Sequence, residues 1–316
     1  MAQATLDETR SAAQLGFILR EALVLLLTTL AAVALVTLVV FAPKLFASGY
    51  PPTTPGLASY LAAVRGYLAG LLGGDLGRTA NQRAIVGDLR VGAIHSLQLL
   101  AVAVAVALPL GLGWGALLAN VRRGWPAALL FGLSTLAVSL PSFVVMLLAM
   151  ESIANITQRT GIRIAYVQGY GLDRHLVLPT AVLALRGAAL LARTIQVAQE
   201  EIMRQEWIRA ARARGLGGLA LWWRHVLPAL RLPLLGGFLA MLRVMVSGLV
   251  IVDYLSGWNG LGRLMIQVRT GSASPNEAQV VAGATIMLVL FFVVVDALGR
   301  LALRGADPRV REIASD

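Results

Sequence analysis

Long apolar runs, separated by shorter polar and basic segments, fill most of the chain. The first, residues 22–43, carries no charge, and at roughly 1.5 Å of rise per helical residue it is long enough to cross a hydrocarbon core. A cleaved signal peptide is the competing reading of this run. It is too long for one, and no small-residue cleavage site precedes Lys44, so a retained first span is expected. Residues 91–121 are free of Arg, Lys, Asp and Glu and hold a second span at 97–118. Further spans are expected at 127–150, 176–198, 232–252 and 278–295, which predicts an all-α integral membrane protein with six transmembrane helices.

The segments between these runs set the expected organisation. Residues 1–21 form a cytoplasmic N-terminus, 22–43 the first transmembrane helix, and 44–93 an external loop with short helices. Residues 94–300 form a core of five transmembrane helices with a cytoplasmic loop at 199–228, and 301–316 a cytoplasmic tail. Six spans place both termini on one side. The Arg122-Arg123 turn, the 199–228 loop and the arginine-bearing tail mark that side as the inside. The basic residues of the 44–93 loop run against this count, partly offset by Asp75 and Asp88. Gly111, Gly113 and Gly115 are expected to admit a neighbouring helix closely, and Pro141 to kink the third span.

Residues 200–228 are a polar island. Seven arginines run from Arg193 to Arg231, against the acids Glu200, Glu201 and Glu206. Helical spacing places Met203, Trp207, Ala210 and Ala211 on one stripe, with Arg204, Arg209 and Arg212 elsewhere. Arg212 and Arg214 suit the negative end of the helix dipole, and Gly215 offers the left-handed residue that stops the helix. A second short helix through Trp222 and Trp223 is expected to run to Leu227-Pro228, where the proline limits it. A lever pressing into another protein needs small side chains, a sharp turn and a rigid exit. The alanine pair, Gly215 and Pro228 supply them. An ordinary arginine-rich cytoplasmic loop accounts for the arginines alone.

The spacing of Ala210-Ala211, Gly215 and Leu227-Pro228 resembles the "EAA" loop of bacterial ABC-importer permeases, the cytoplasmic elbow that docks into the ATPase subunits. The variant WIRAARARGL followed by WRHVLPAL more closely resembles the B-type membrane subunit of the dipeptide/oligopeptide (peptide/nickel) importers, with Arg209 where the motif has its leading acid. Two shorter stretches point the same way: Gly74-Asp75-Leu76-Gly77-Arg78 ahead of the second span, and Asp307-Pro308-Arg309 in the tail. Physically, the first is a capped glycine turn and the second a turn beside basic residues. The resemblance implies the type I importer permease (MetI-like) bundle in a bacterial inner membrane. It implies ATPase coupling through Glu206, Ala210, Ala211, Gly215, Leu227 and Pro228, and import of di- or oligopeptides, nickel or another small solute. The implied partners are a second permease subunit, two ABC ATPase subunits that bind ATP and Mg, and an extracytoplasmic substrate-binding protein.

Composition narrows the alternatives. With 58% hydrophobic residues and mean hydropathy +0.76, the chain is too apolar for a soluble domain of this size. The net charge of +11 is scattered between spans, which fits inside-positive topology rather than nucleic acid. There is no cysteine, His95, His175 and His225 lie far apart in sequence, and no G-x-x-x-x-G-K-[ST] loop occurs, so any ATP used is hydrolysed by another chain. No cofactor or metal is expected on this chain, and no enzyme's nucleophile–base constellation is present. An ion-gradient-driven secondary transporter usually needs membrane-embedded acids, whereas Glu151, Asp253 and Asp296 fall at span ends. A membrane scaffold leaves the elbow spacing unexplained. Arg186 and Arg243, inside spans, and Asp253 at an outer end are candidate pore-lining residues for a zwitterionic peptide, with structural pairing as the competing role.

Overall fold

The computed structural model describes residues 2–46, 56–78, 83–121, 123–266 and 275–306. Arg122 and the 307–309 tail stretch lie outside the described residues. Among them the chain is helical, with one isolated antiparallel bridge between Arg78 and Ala84. In chain order the helices are α1 (Ala2–Phe41), α2 (Leu57–Leu72), α3 (Ile85–Asn120), α4 (Trp125–Ser139), α5 (Ser142–Thr160), α6 (Val177–Arg204) and α7 (Glu206–Ala213). They are followed by α8 (Gly218–Leu221), a π-helical turn (Trp222–Val226), α9 (Leu227–Ala229), α10 (Arg231–Ser256), α11 (Leu261–Ile266) and α12 (Pro275–Ala306).

Among the described residues five helices are long and apolar enough to cross a membrane: those covering Leu19–Leu45, Ile85–Asn120, Val177–Arg204, Arg231–Ser256 and Ala278–Ala306. The segment expected as a continuous helix at 127–150 is instead a pair of apolar helices, α4 and α5, bent by 111° at Leu140-Pro141. Proline lacks an N–H and drives the residue before it out of the helical region. Leu140 accordingly takes φ −70°, ψ 130° and Pro141 φ −59°, ψ 142°, so the helix stops and restarts instead of kinking. The second span also differs: α3 starts at Ile85, ahead of the polar residues Asp88 and Arg90, which continue the helix beyond its apolar part.

The chain divides into two compact units, residues 1–93 with 264–316, and residues 94–263. In the first, α1 packs on α12 and α2, around Phe41, Val64, Tyr67, Ala282 and Ile286. Burial pushes the Tyr67 phenol up to about 12. The 74–78 turn is an Asx turn, Gly77 N donating to Asp75 Oδ1 at 2.9 Å, and Arg78 N donates to Gln279 Oε1 at 3.1 Å. A Cβ on Gly77, at φ 105°, would run into the Gln279 side chain, which would have to shift away from Arg78 N.

In the second unit α6 is central, packing on α10, α4 and α5. Small residues set the closest approaches, as membrane helices require when hydrophobicity does not distinguish a helix face from lipid. A Cβ on Gly111 would stand 2.9 Å from Leu191 Cδ2, and one on Gly115 2.8 Å from both the Ala192 carbonyl oxygen and Ile195 Cβ. Gly113, expected to share this role, has nothing within 4 Å, because it lies two residues from each of its neighbours and so off their face. Gly187 meets Met241 and Met245 of α10, and Gly237 meets Leu191 and Thr194 of α6. The α6–α10 pair is therefore joined from both sides.

Candidate functional site: the α6–α10 elbow and its flanking charges

The elbow begins where α6 ends. Gln205 is extended (φ −64°, ψ 146°) and separates α6 from α7. This break corrects the expected stripe, since Met203 belongs to α6 and the helical phase restarts at Glu206. The buried face of α7 consists of Ile208 and Ala211, both fully enclosed, while Trp207 and Ala210 turn outward. Glu206 occupies the first turn of α7, where an acid complements the positive end of the dipole.

The helix stops as Gly215 predicts. Gly215 N donates to the Arg212 carbonyl at 2.9 Å and Leu216 N to the Ala211 carbonyl at 3.2 Å, a Schellman motif closed by Gly215 at φ 86°. Gly218, at φ 54°, then opens α8. Leu227 and Pro228 do not end the second helix. Pro228 sits in the first turn of α9, where its missing N–H costs nothing, and the break falls two residues later at Leu230. The π turn between α8 and α9 holds Trp222 and Trp223 edge to face, their centroids 5.3 Å apart. Trp222 Nε1 donates to Gln199 Oε1 at 3.4 Å, tying the returning helix to the buried Gln199 of α6. The Trp207 and His225 rings lie 6.2 Å apart across the elbow.

This construction leaves a distinctive surface. Trp207 (43% exposed), Leu219 (73%) and Trp223 (58%) stand out among the exposed Arg209, Arg212, Arg214 and Arg224. Such a mixture of aromatic anchors and arginines is the composition favoured at protein interfaces.

The intramembrane charges occupy different settings. Arg193 of α6 donates to Thr135 Oγ1 at 2.6 Å and Ser134 Oγ at 3.3 Å, and its guanidinium lies 4.7 Å from the centre of the Phe131 ring. Arg186, one heptad earlier, donates through Nη1 to Ser142 Oγ at 3.1 Å, at the first residue of α5. Gly248 of α10 closes on the same hydroxyl. Arg243 is on an exposed face of α10.

Asp253 is fully buried. Its Oδ2 accepts from Ser96 Oγ at 2.6 Å and Gly262 N at 3.3 Å, and Ser96 Oγ accepts from Leu261 N at 2.9 Å. A Cβ on Gly260 would collide with both Asp253 and Ser96, and one on Gly262 with the Val250 backbone. Above this knot Trp258, also fully buried, donates Nε1 to the His95 carbonyl at 3.0 Å, and Tyr170 stacks on His95 with centroids 4.2 Å apart. The structure thus encloses Asp253 as the fastening of the 257–262 segment and brings Ser96, Gly260 and Gly262 to it. None of these three was singled out by the sequence reading, although an acid near a helix end followed by Gly-Trp-Asn-Gly-Leu-Gly is the available signal. Nearby in the α5–α6 loop, the hydrogen bond from His175 holds the Asp173 carboxyl below its usual range. Among the described residues no cluster of His, Asp or Glu suited to a metal ion occurs.

Residues 111–312 match the profile of a family described as "Binding-protein-dependent transport system inner membrane component". The chain is 28% identical over 267 residues to the oligopeptide transport system permease protein OppB of Mycobacterium tuberculosis, covering 79% of this chain and 80% of that protein. It is 23% identical over 248 residues to the glutathione transport system permease protein GsiC of Pectobacterium atrosepticum, covering 78% of each. Among solved structures it shares its fold with an inward-facing MetNI methionine ABC transporter, at a TM-score of 0.56 and 21% identity over 69% of this chain and 96% of that one.

Proposed function

The chain belongs to the family of binding-protein-dependent transport system inner membrane components, and from that premise we propose that it is a pore-forming subunit of an ATP-driven importer of di- or oligopeptides. The observation that carries this reading is the elbow: a helix closed by a Schellman turn at Gly215, strapped to α6 through Trp222 and Gln199, with aromatic and arginine side chains turned outward. A groove on one of two ATPase subunits, which bind ATP and Mg, receives this surface, and the second permease subunit engages the other. Ala211 lets α7 lie close to its own bundle, Gly215 turns the chain, and Leu227-Pro228 return it to α10. Glu206 and Ala210 lie on the side of α7 that the ATPase meets.

Closure of the ATPases around ATP carries the elbow with it. Because the elbow is inserted between α6 and α10, and these helices interlock through Gly187 and Gly237, its displacement reaches both together. The bundle then exchanges access from one side of the membrane to the other, each state favoured by its own elbow–ATPase geometry. A second permease subunit completes the pathway, and an extracytoplasmic binding protein delivers the solute. Both termini and the elbow are cytoplasmic. Arg186 and Arg243 face the pathway, while Asp253 fixes the segment at its outer end. The names of the related oligopeptide and glutathione permeases support a peptide-type solute.

The test is uptake by proteoliposomes holding the complex purified through this chain. Import of a labelled peptide that requires both internal ATP and the external binding protein supports the reading. Uptake driven by an ion gradient without ATP refutes it.

A further inference from the structure

Arg186 carries a charge that no acidic side chain among the described residues neutralises. It is the tenth residue of the 28-residue α6, about 14 Å along a helix some 42 Å long, well inside the span. Arg193 on the same helix is dressed by two hydroxyls and an aromatic face. Arg186 has one hydrogen bond among the described residues, from Nη1 to Ser142 Oγ, and its Nε is buried without a partner. The edge left over, Nε with Nη2, is the one on which a guanidinium takes a carboxylate side-on through two parallel hydrogen bonds.

The surroundings reinforce the need for an anion. Ser142 opens α5 directly after the 111° bend, so the positive end of the α5 dipole points into the same region. The Pro141 carbonyl satisfies Val144 N and Val145 N, whereas no side chain caps the earlier N–H groups of Ser142 and Phe143. Two helices, α6 and α5, thus bring a full positive charge and a dipole end together within the span. Intramembrane charges of this kind mark solute pathways when no structural counter-charge accounts for them.

We propose that Arg186, oriented by Ser142, binds a carboxylate of the transported solute through its Nε–Nη2 edge as the solute crosses. This rests on the reading of the chain as a peptide-importer permease, and it adds to that reading a specificity for solutes with a free carboxylate. Ser142 acts as a positioning residue, holding Nη1, and the other edge, whose Nε is buried in this state, is uncovered as the bundle moves.

The experiment uses the whole purified transporter in proteoliposomes, with wild type, Arg186→Gln and Arg186→Lys. Uptake is measured for a labelled peptide with a free C-terminal carboxylate and for an amidated analogue chosen because the wild-type complex imports it. Arg186→Gln is expected to lower kcat/KM for the free-carboxylate peptide roughly 10- to 100-fold, as loss of charge-assisted hydrogen bonds does, and to leave the amide unchanged. Arg186→Lys, which keeps the charge but not the fork, is expected to fall between. Equal loss for both peptides, or no loss for either, overturns the proposal. Loss of the second permease subunit from the purified Arg186→Gln complex overturns it in favour of a subunit carboxylate as the partner. A wild-type complex that imports no peptide at all removes the underlying reading instead, and is distinguishable because every variant then behaves alike.

Discussion

Replacing Gly215 isolates the backbone's contribution to the elbow. A methyl group at this position meets nothing within 4 Å, so Gly215→Ala introduces no collision, and its whole cost is that of holding an L residue at φ 86°. That cost is about 1–2 kcal/mol, which lowers the fraction of correctly turned elbow by roughly 5- to 30-fold wherever the turn is in equilibrium with a frayed form. Asn tolerates the left-handed region better than other residues, so Gly215→Asn should cost less. Gly215→Pro should cost most, because it fixes φ near −65° and removes the N–H that donates to the Arg212 carbonyl at 2.9 Å. The assay is titration of purified ATPase subunits onto the membrane subunits held in nanodiscs. Affinity should fall in the order wild type, Asn, Ala, Pro, while insertion and permease pairing stay intact. Equal affinity across the series, Pro included, would refute the claim that the Gly215 turn shapes the docking surface.

Other outcomes follow from the same geometry. Ala211→Glu places a carboxylate at a position with no solvent exposure, and should leave membrane insertion unaffected while abolishing peptide-stimulated ATP hydrolysis in the reconstituted complex. Gly115→Val should lower the detergent unfolding midpoint, at a cost of about 1–3 kcal/mol from overpacking against Ala192 and Ile195, whereas Gly113→Val, which faces open space, should not. In the α5–α6 loop, the Asp173 carboxyl is depressed in the folded state. Its contribution is therefore present above the ordinary carboxylate value of about 3.9 and lost as pH falls through the folded value below it. Fluorescence of this loop, labelled at a single introduced cysteine, should be flat between about pH 5 and 7 on account of this group, with any change confined to lower pH.

Local chemistry was the part of this structure most open to reading in the sequence. Gly215 was recognisable because only a residue free of a Cβ closes a helix cheaply in the left-handed region, and the apolar runs located five unbroken spans. The misread features depend on phase or on distance along the chain. Counting the stripe from Met203 assumed one continuous helix, and the extended Gln205 shifted every later residue, exchanging Ala210 and Trp207 for Ile208 on the buried face. Pro141 was expected to kink a helix, but its hold on Leu140 is enough to divide the helix in two. The helix of the second span runs ahead of its apolar part because Asp88 and Arg90 sit in its first two turns, where hydropathy does not register a helix. The Ser96–Asp253 bond joins residues 157 positions apart, and no local pattern encodes which hydroxyl a buried carboxylate will find.

If the outward face of the elbow meets an ATPase, a thiol placed on it will crosslink to that subunit. The chain contains no cysteine, so Leu219→Cys or Trp223→Cys introduces its only thiol, at a position already exposed. Each variant, labelled with a photoactivated maleimide crosslinker in native membranes and identified by mass spectrometry, should join a chain bearing a phosphate-binding loop, with a yield that changes when ATP is added. Labelling by a membrane-impermeant maleimide from outside the cell, or crosslinks to lipid and to no ATPase, would show that the elbow does not dock on an ATPase.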